Sequence, residues 1–273
     1  MEVLGGTGNK FFVFLSELLG TAMLLIAINW SSTSDSIPSA VGLTVMIAAQ
    51  LFGPISGGHF NPAVTLGMLW KEGKAHFGRN LVFAFFIMIC QGIGAMLGCA
   101  ISIMAFSYKK KDIKEIPIGT DDFWIAQLCP VNGCNDGGDN VLRVFAVETI
   151  CTFMFVTFVL VIVKHNGANV DTNTPINTMA IGLALYCAVR MSSGISGGCI
   201  NPAVGLVQSV FQKMANDFTY PQAKPTQATY TVVYVFGPLL GGFLAGLFQK
   251  IIYEFAIKHA EEASNQEYGK MVQ

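Results

Sequence analysis

Residues 54–66 read PISGGHFNPAVTL and residues 194–206 read GISGGCINPAVGL, so that nine of 13 positions are identical across an offset of 140. The likeness extends upstream, where Ala40-Val41-Gly42-Leu43 matches Ala180-Ile181-Gly182-Leu183 at the same offset. Each copy ends a short apolar run. Paired, interrupted hydrophobic segments in matching places are the pattern of a membrane protein whose permeation site is built from two half-helices.

Composition points the same way. Of 273 residues, 52% are hydrophobic and only 12% charged, far too apolar for a domain with a solvated surface. Apolar stretches at residues 10–29, 39–52, 79–107, 141–163, 178–191 and 229–255 are the expected spans. The second and fifth are too short, at 1.5 Å per residue, to cross a hydrocarbon core about 30 Å thick. Each runs straight into a repeat, which is therefore expected to dip into the membrane and return. The expected fold is all-helical, with six transmembrane helices and two re-entrant half-helices. Residues 10–107 and 141–255 form two repeats of opposite topology, separated by a long loop at 108–140 and followed by a polar tail at 256–273, expected to be mobile from His259 to Gln273.

Non-helical backbone at membrane depth is tolerated only where protein buries it or a wet cavity solvates it. A pore explains both repeats at once. The first apolar run carries Glu17 in its middle and is long enough to span, so it reads as a permanent helix rather than a cleaved signal. A net charge of −1 argues against a nucleic-acid partner. Lys71, Lys74, Arg79 and Lys164 mark one side and Lys109, Lys110, Lys111 and Lys114 the other, so charge alone barely fixes orientation.

The two motifs Asn61-Pro62-Ala63 and Asn201-Pro202-Ala203, each after Ser-Gly-Gly, resemble the aquaporin or major intrinsic protein family. The resemblance covers nearly the whole chain. It includes Ser16-Glu17 with Gly20-Thr21, Glu148-Thr149 at the repeat-related place, Gln91, and Gly237-Pro238. It implies a passive channel for water and small neutral solutes such as glycerol, urea, ammonia or hydrogen peroxide. It also implies a homotetramer in a lipid bilayer, either the plasma membrane or an internal vacuolar membrane, with loop 108–140 outside.

The motif's physics stands without the name. Proline suits the first turn of a helix and asparagine is a preferred N-cap, so two apolar half-helices should start here and run to about Trp70 and Phe211. Facing N-termini place about half an elementary positive charge each at mid-membrane. The Asn61 and Asn201 amides can then donate to a passing molecule while the positive ends oppose cations. Glu17 and Glu148 lie inside spans, where a charge costs at least about 2.5 kcal/mol, and should accept backbone N–H groups of the re-entrant loops. Gly57, Gly58, Gly197 and Gly198 suit loops that turn sharply and pack closely.

Selectivity is where the chain departs from the family pattern. Counted from the two asparagines, the narrow filter falls on Val41, Val189, Gly198 and Val204. The family's usual Arg after the second Asn-Pro-Ala is here Val204, and the aromatic wall is gone as well. Three valines and a glycine make a wider, more apolar ring without the donor fork of Arg, which should admit solutes larger than water. Arg190 follows Val189 directly, either reaching the lumen or snorkelling to the interface. Gly205 stands where glycerol-conducting members carry Asp. Tyr234 resembles the span-six aromatic of water-selective members, while Val235 departs from their Trp.

His59 should line the inner vestibule as a polar residue or a pH gate. His76, His165 and His259 need no special role. Cys90, Cys99, Cys151, Cys187 and Cys199 read as small apolar fillers, with Cys199 also placed beside the filter. Cys129 and Cys134 can pair if their loop is extracellular. No cysteine and histidine spacing suggests a metal site, no cofactor is implied, and no catalytic constellation is present. Asn29-Trp30-Ser31 is a glycosylation sequon hard against the membrane, and Trp30 reads as an interfacial anchor. The competing readings are a non-transporting junction or adhesion protein and an ion-conducting family member. Two intact motifs and the lack of a large extracellular domain weigh against the first.

Overall fold

A computed structural model of the chain describes residues 9–31, 36–72, 77–109, 140–165, 175–218 and 228–271. Within these the elements are helices α1 (Lys10–Trp30), α2 (Ile37–Ser56), α3 (Pro62–Glu72), α4 (Phe77–Lys109), α5 (Val141–His165), α6 (Pro175–Ser196), α7 (Pro202–Phe218), α8 (Ala228–Phe248) and α9 (Glu254–Met271), with a π-helical turn Gln249–Tyr253 joining the last two. Six described helices are long and apolar enough to cross a membrane. The chain is an integral membrane protein.

Local signals account for the ends. Asn9 caps α1 by accepting the Phe11 N–H at 3.1 Å. Helix α2 opens with Pro38 in its first turn and closes on Gly57, whose φ of 90° ends the helix while its N–H bonds to the Gly53 carbonyl.

Two expectations about helix length are corrected. Helices α2 and α6 are 20 and 22 residues long, sufficient to span, because each runs through the first part of the repeat and ends only at Ser56 or Ser196. Gly53-Pro54 does not stop α2: proline inside a membrane helix is tolerated when neighbours satisfy the backbone it frees. The re-entrant units are the loops and α3 and α7 alone, and α7 continues past Phe211 to Phe218. The tail, expected to be mobile, continues as helix α9 to Met271. It begins from the π turn, where the Glu254 N–H reaches back five residues to the Gln249 carbonyl.

Packing follows the sequence repeat. Helix α1 packs on α4 as α5 packs on α8, and α2 crosses α6 between the halves. Close approach demands glycine in both copies: a Cβ on Gly94 would lie 2.1 Å from the Leu18 carbonyl oxygen, and one on Gly241 2.5 Å from that of Thr149. Leu18 and Thr149 each follow one of the two buried glutamates, so one packing detail is built twice. Small residues bring helix backbones together where lipid offers no hydrophobic drive. The short helices α3 and α7 approach each other at their N-termini and wedge between the spanning helices, α3 against α8 and α7 against both α4 and α8.

Candidate functional site

The two loops leading into α3 and α7 are the only described stretches that reach mid-bundle without helical hydrogen bonds. Their backbones need positive φ at Gly57, Gly58 and Phe60, and again at Gly197, Gly198 and Ile200. Glycine reaches that region freely, but Phe60 (48°) and Ile200 (55°) do so against steric preference. Strain of this kind persists only when surroundings hold it, and the surroundings here are the two glutamates.

The Glu17 carboxylate accepts four hydrogen bonds. Oε1 takes the Ser56 hydroxyl at 2.7 Å and the His59 N–H at 2.9 Å. Oε2 takes the Phe60 N–H at 2.8 Å and the Gln91 amide at 2.8 Å. Glu148 repeats the scheme with Ser196 at 2.6 Å, Cys199 N–H at 3.0 Å and Ile200 N–H at 2.8 Å. Both residues are fully buried, and an acceptor-only group is what two outward-turned amides and a hydroxyl require. The second half adds Tyr234, whose hydroxyl donates to the Ser196 carbonyl.

Each asparagine works in two directions. Asn61 Oδ1 accepts the Ala63 N–H at 2.9 Å and Asn201 Oδ1 accepts that of Ala203 at 3.0 Å, capping the helices that Pro62 and Pro202 begin. The amide nitrogens reach across: Asn61 Nδ2 donates to the Ile200 carbonyl at 3.0 Å and Asn201 Nδ2 to that of Phe60 at 2.9 Å. The crossing pair locks the loops together, and each nitrogen carries a second hydrogen.

A cavity of about 50 Å³ runs past this junction. A water site needs about 10–15 Å³, so the space suits a short file of molecules. The two asparagines, His59 and Cys199 line it. Val41, Val189, Gly198 and Val204 also line it, so residues 163 positions apart in sequence at the extremes meet around one space. Leu24, Ile28, Ile37, Val45 and Leu185 complete an apolar wall. His59 Nδ1 lies 3.1 Å from the Thr65 hydroxyl, which also receives the Gln91 amide at 3.0 Å. Among the described residues, no Lys or Arg lines it.

The structure decides between the alternatives left open for Arg190 and Asn29 and changes the reading of Cys187. Arg190 is exposed on the outside of α6 and lines no part of the cavity. Cys187 is exposed rather than a filler, whereas Cys99 is buried and bonded, its sulfur 3.7 Å from Asn29 Nδ2 and 3.4 Å from Gln208 Oε1. The Asn29 side chain is turned inward, accepting from Gln208 Nε2 at 3.1 Å, which leaves the sequon no reachable amide. Trp30 beside it is half exposed. Cys129, Cys134, His76 and most of loop 108–140 lie outside the described residues.

Sequence reasoning missed Gln208, a fully buried residue that also lines the cavity. The signal was its spacing: four residues after Val204, it occupies the same face of α7 one turn on.

The profile of the Major intrinsic protein family matches residues 3–249. The chain is 28% identical over 239 residues to the Glycerol uptake facilitator protein-like 6 of Lactiplantibacillus plantarum, spanning 88% of this chain and 93% of that one. It is 28% identical over 241 residues to Aquaporin-8 of Rattus norvegicus, spanning 85% and 77%. The X-ray structure of the aquaglyceroporin from Plasmodium falciparum shares the fold with a TM-score of 0.70 at 18% identity, over 90% of this chain and 97% of that one. With its profile match running from residue 3 to residue 249, the chain belongs to the major intrinsic protein family.

Proposed function

We propose that this protein is a passive transmembrane channel for water and for small neutral solutes such as glycerol, urea, ammonia and hydrogen peroxide. Residues 10–107 and 141–255 act as inverted repeats whose half-helices meet at the pore centre, and four copies assemble with one pore each. The observation that supports the reading is one cavity lined both by Asn61 and Asn201, whose amides cross between the loops, and by Val41, Val189, Gly198 and Val204. The second amide hydrogens orient a permeant while the facing helix N-termini repel cations.

The ring sets the size limit by shape and wetting rather than by charge. Without a guanidinium it offers no fixed donors to compete with a solute's own hydroxyl or amide groups. Ion exclusion then rests on the half-helix dipoles and on the cost of taking an ion through an aliphatic constriction. The same features disfavour the ion-conducting reading, since the ring holds no group to replace an ion's hydration. Val204→Arg tests the filter. It should reduce glycerol and urea flux severalfold in reconstituted vesicles while water still passes; unchanged solute flux at equal protein content would remove Val204 from the filter.

A further inference from the structure

The valine ring has no aromatic member, but the cavity has two besides His59, namely Phe60 and Phe155. The Phe60 ring is lodged between helices: a Cβ on Gly20 of α1 would lie 2.1 Å from it, and Phe52 of α2 meets it edge-on with centroids 6.2 Å apart. Phe155 comes from α5, is 4% exposed, and borders the cavity together with His59 and Leu185. Its neighbour gives its level. Val156 packs on α3, where a Cβ on Gly67 would lie 2.7 Å from Val156 Cγ1. Phe155 therefore stands on the α3 side of the asparagine pair, whereas Gly198 and Val204 belong to the loop and helix of α7. The two halves differ at this place. Phe155 follows Glu148 by seven residues and Leu24 follows Glu17 by the same seven, so a phenyl ring in one half answers an isobutyl group in the other, and both line the cavity.

We propose that Phe155 is a further specificity-determining residue, a second constriction on the α3 side that favours flat or very small neutral solutes, such as urea, ammonia and hydrogen peroxide, over polyols such as glycerol. This inference rests on the reading of the chain as a solute pore and narrows its substrate class. The space is only about 50 Å³, so one ring is a large share of its boundary. The ring is rigid and belongs to the close-packed core of the bundle, so a passing molecule does not push it aside at low cost. A planar molecule needs one thin dimension to slip past a fixed ring, and urea has one. Glycerol, tetrahedral at each carbon, does not. The sorting is by shape and asks for no hydrogen bond from the ring. The bland alternative is that Phe155 only fills space between α5 and α3.

The two differ in selectivity. Wild type, Phe155→Leu and Phe155→Met are reconstituted and their water, urea and glycerol permeabilities measured by stopped-flow light scattering at equal protein content. Phe153→Leu is the packing control, because Phe153 lies two residues away but turns its ring to Phe248 at 5.7 Å and lines the groove between α5 and α8. Phe155→Leu should raise glycerol permeability about fivefold, the effect of a barrier lowered by about 1 kcal/mol, while urea and water change by less than about twofold. Met fills irregular space without a rigid ring, so Phe155→Met keeps the packing and supplies the answer if the Leu variant fails to fold. An unchanged glycerol-to-water ratio, a rise of water and both solutes in step, or the same rise in Phe153→Leu overturns the proposal and leaves Phe155 as a core residue. A wild type that passes water and neither solute refutes the broad-solute reading alone. A Phe155→Leu variant that then admits glycerol upholds the ring as the constriction, and one that still excludes it overturns the proposal.

Discussion

Replacing Glu17 by alanine should cost stability in a way that can be counted from the hydrogen bonds. Four donors lose their acceptor, and one of them can turn to another: the Ser56 hydroxyl lies 3.4 Å from the Phe52 carbonyl, whereas the Gln91 amide keeps Thr65 Oγ1 at 3.0 Å only through its other hydrogen. The His59 N–H, the Phe60 N–H and one Gln91 hydrogen lose the acceptor that Glu17 gives them. At about 1–3 kcal/mol for each stranded buried donor, Glu17→Ala should destabilise by about 3–9 kcal/mol. Glu148→Ala should cost less by the same rule, about 2–6 kcal/mol, because it strands the Cys199 and Ile200 amides while Ser196 keeps the Ser192 carbonyl. Glu17→Gln retains one acceptor oxygen but turns an NH₂ toward a donor, so it should fall between wild type and alanine. The assay is unfolding in mixed micelles with increasing sodium dodecyl sulfate, followed by tryptophan fluorescence. A loss below about 1 kcal/mol for both alanine variants would mean that lumen water solvates the loop amides, and the carboxylates would then not be what holds the loops.

Three other outcomes follow from the same geometry. Gly198 has φ +73° and an added Cβ would lie 3.0 Å from the Val189 carbonyl oxygen, so Gly198→Ala should displace the loop and lower glycerol and urea flux before water flux; wild-type solute rates would remove Gly198 from the constriction. Cys199 lines the cavity and Cys187 faces outward, so a mercurial should inhibit water flux in wild type and in Cys187→Ala but not in Cys199→Ala; inhibition surviving in Cys199→Ala would place the reactive thiol elsewhere. Asn201→Ala removes a cap and a cross-loop bond, so it should cost about 1–3 kcal/mol in the micelle assay, and a neutral result would mean that the crossed amides do not hold the loops together.

The fold was legible because lipid leaves a chain few options. Apolar length locates the spans, and a repeated Asn-Pro after Ser-Gly-Gly is a helix start with its cap and first-turn proline in place. The ends of α2 and α6 were not legible. Gly53-Pro54 and Gly194 are breakers in water, but inside a bundle the neighbouring helices take up what such residues release. The strained φ of Phe60 and Ile200 left no trace in residue type, since their conformation is imposed by carboxylates 43 and 52 positions away. Gln208 and Tyr234 illustrate a second limit. A polar residue on a half-helix or span shows where to look, but only packing tells whether it meets lipid, a partner or the lumen.

Conduction itself is the central claim, and osmotic stopped-flow light scattering on proteoliposomes of the wild-type chain tests it most directly. An impermeant osmolyte should shrink them much faster than protein-free vesicles, and glycerol or urea should produce shrinkage followed by rapid re-swelling. Vesicles holding folded protein that behave like empty ones in all three solutions would contradict the account and favour a junctional protein with a closed pore.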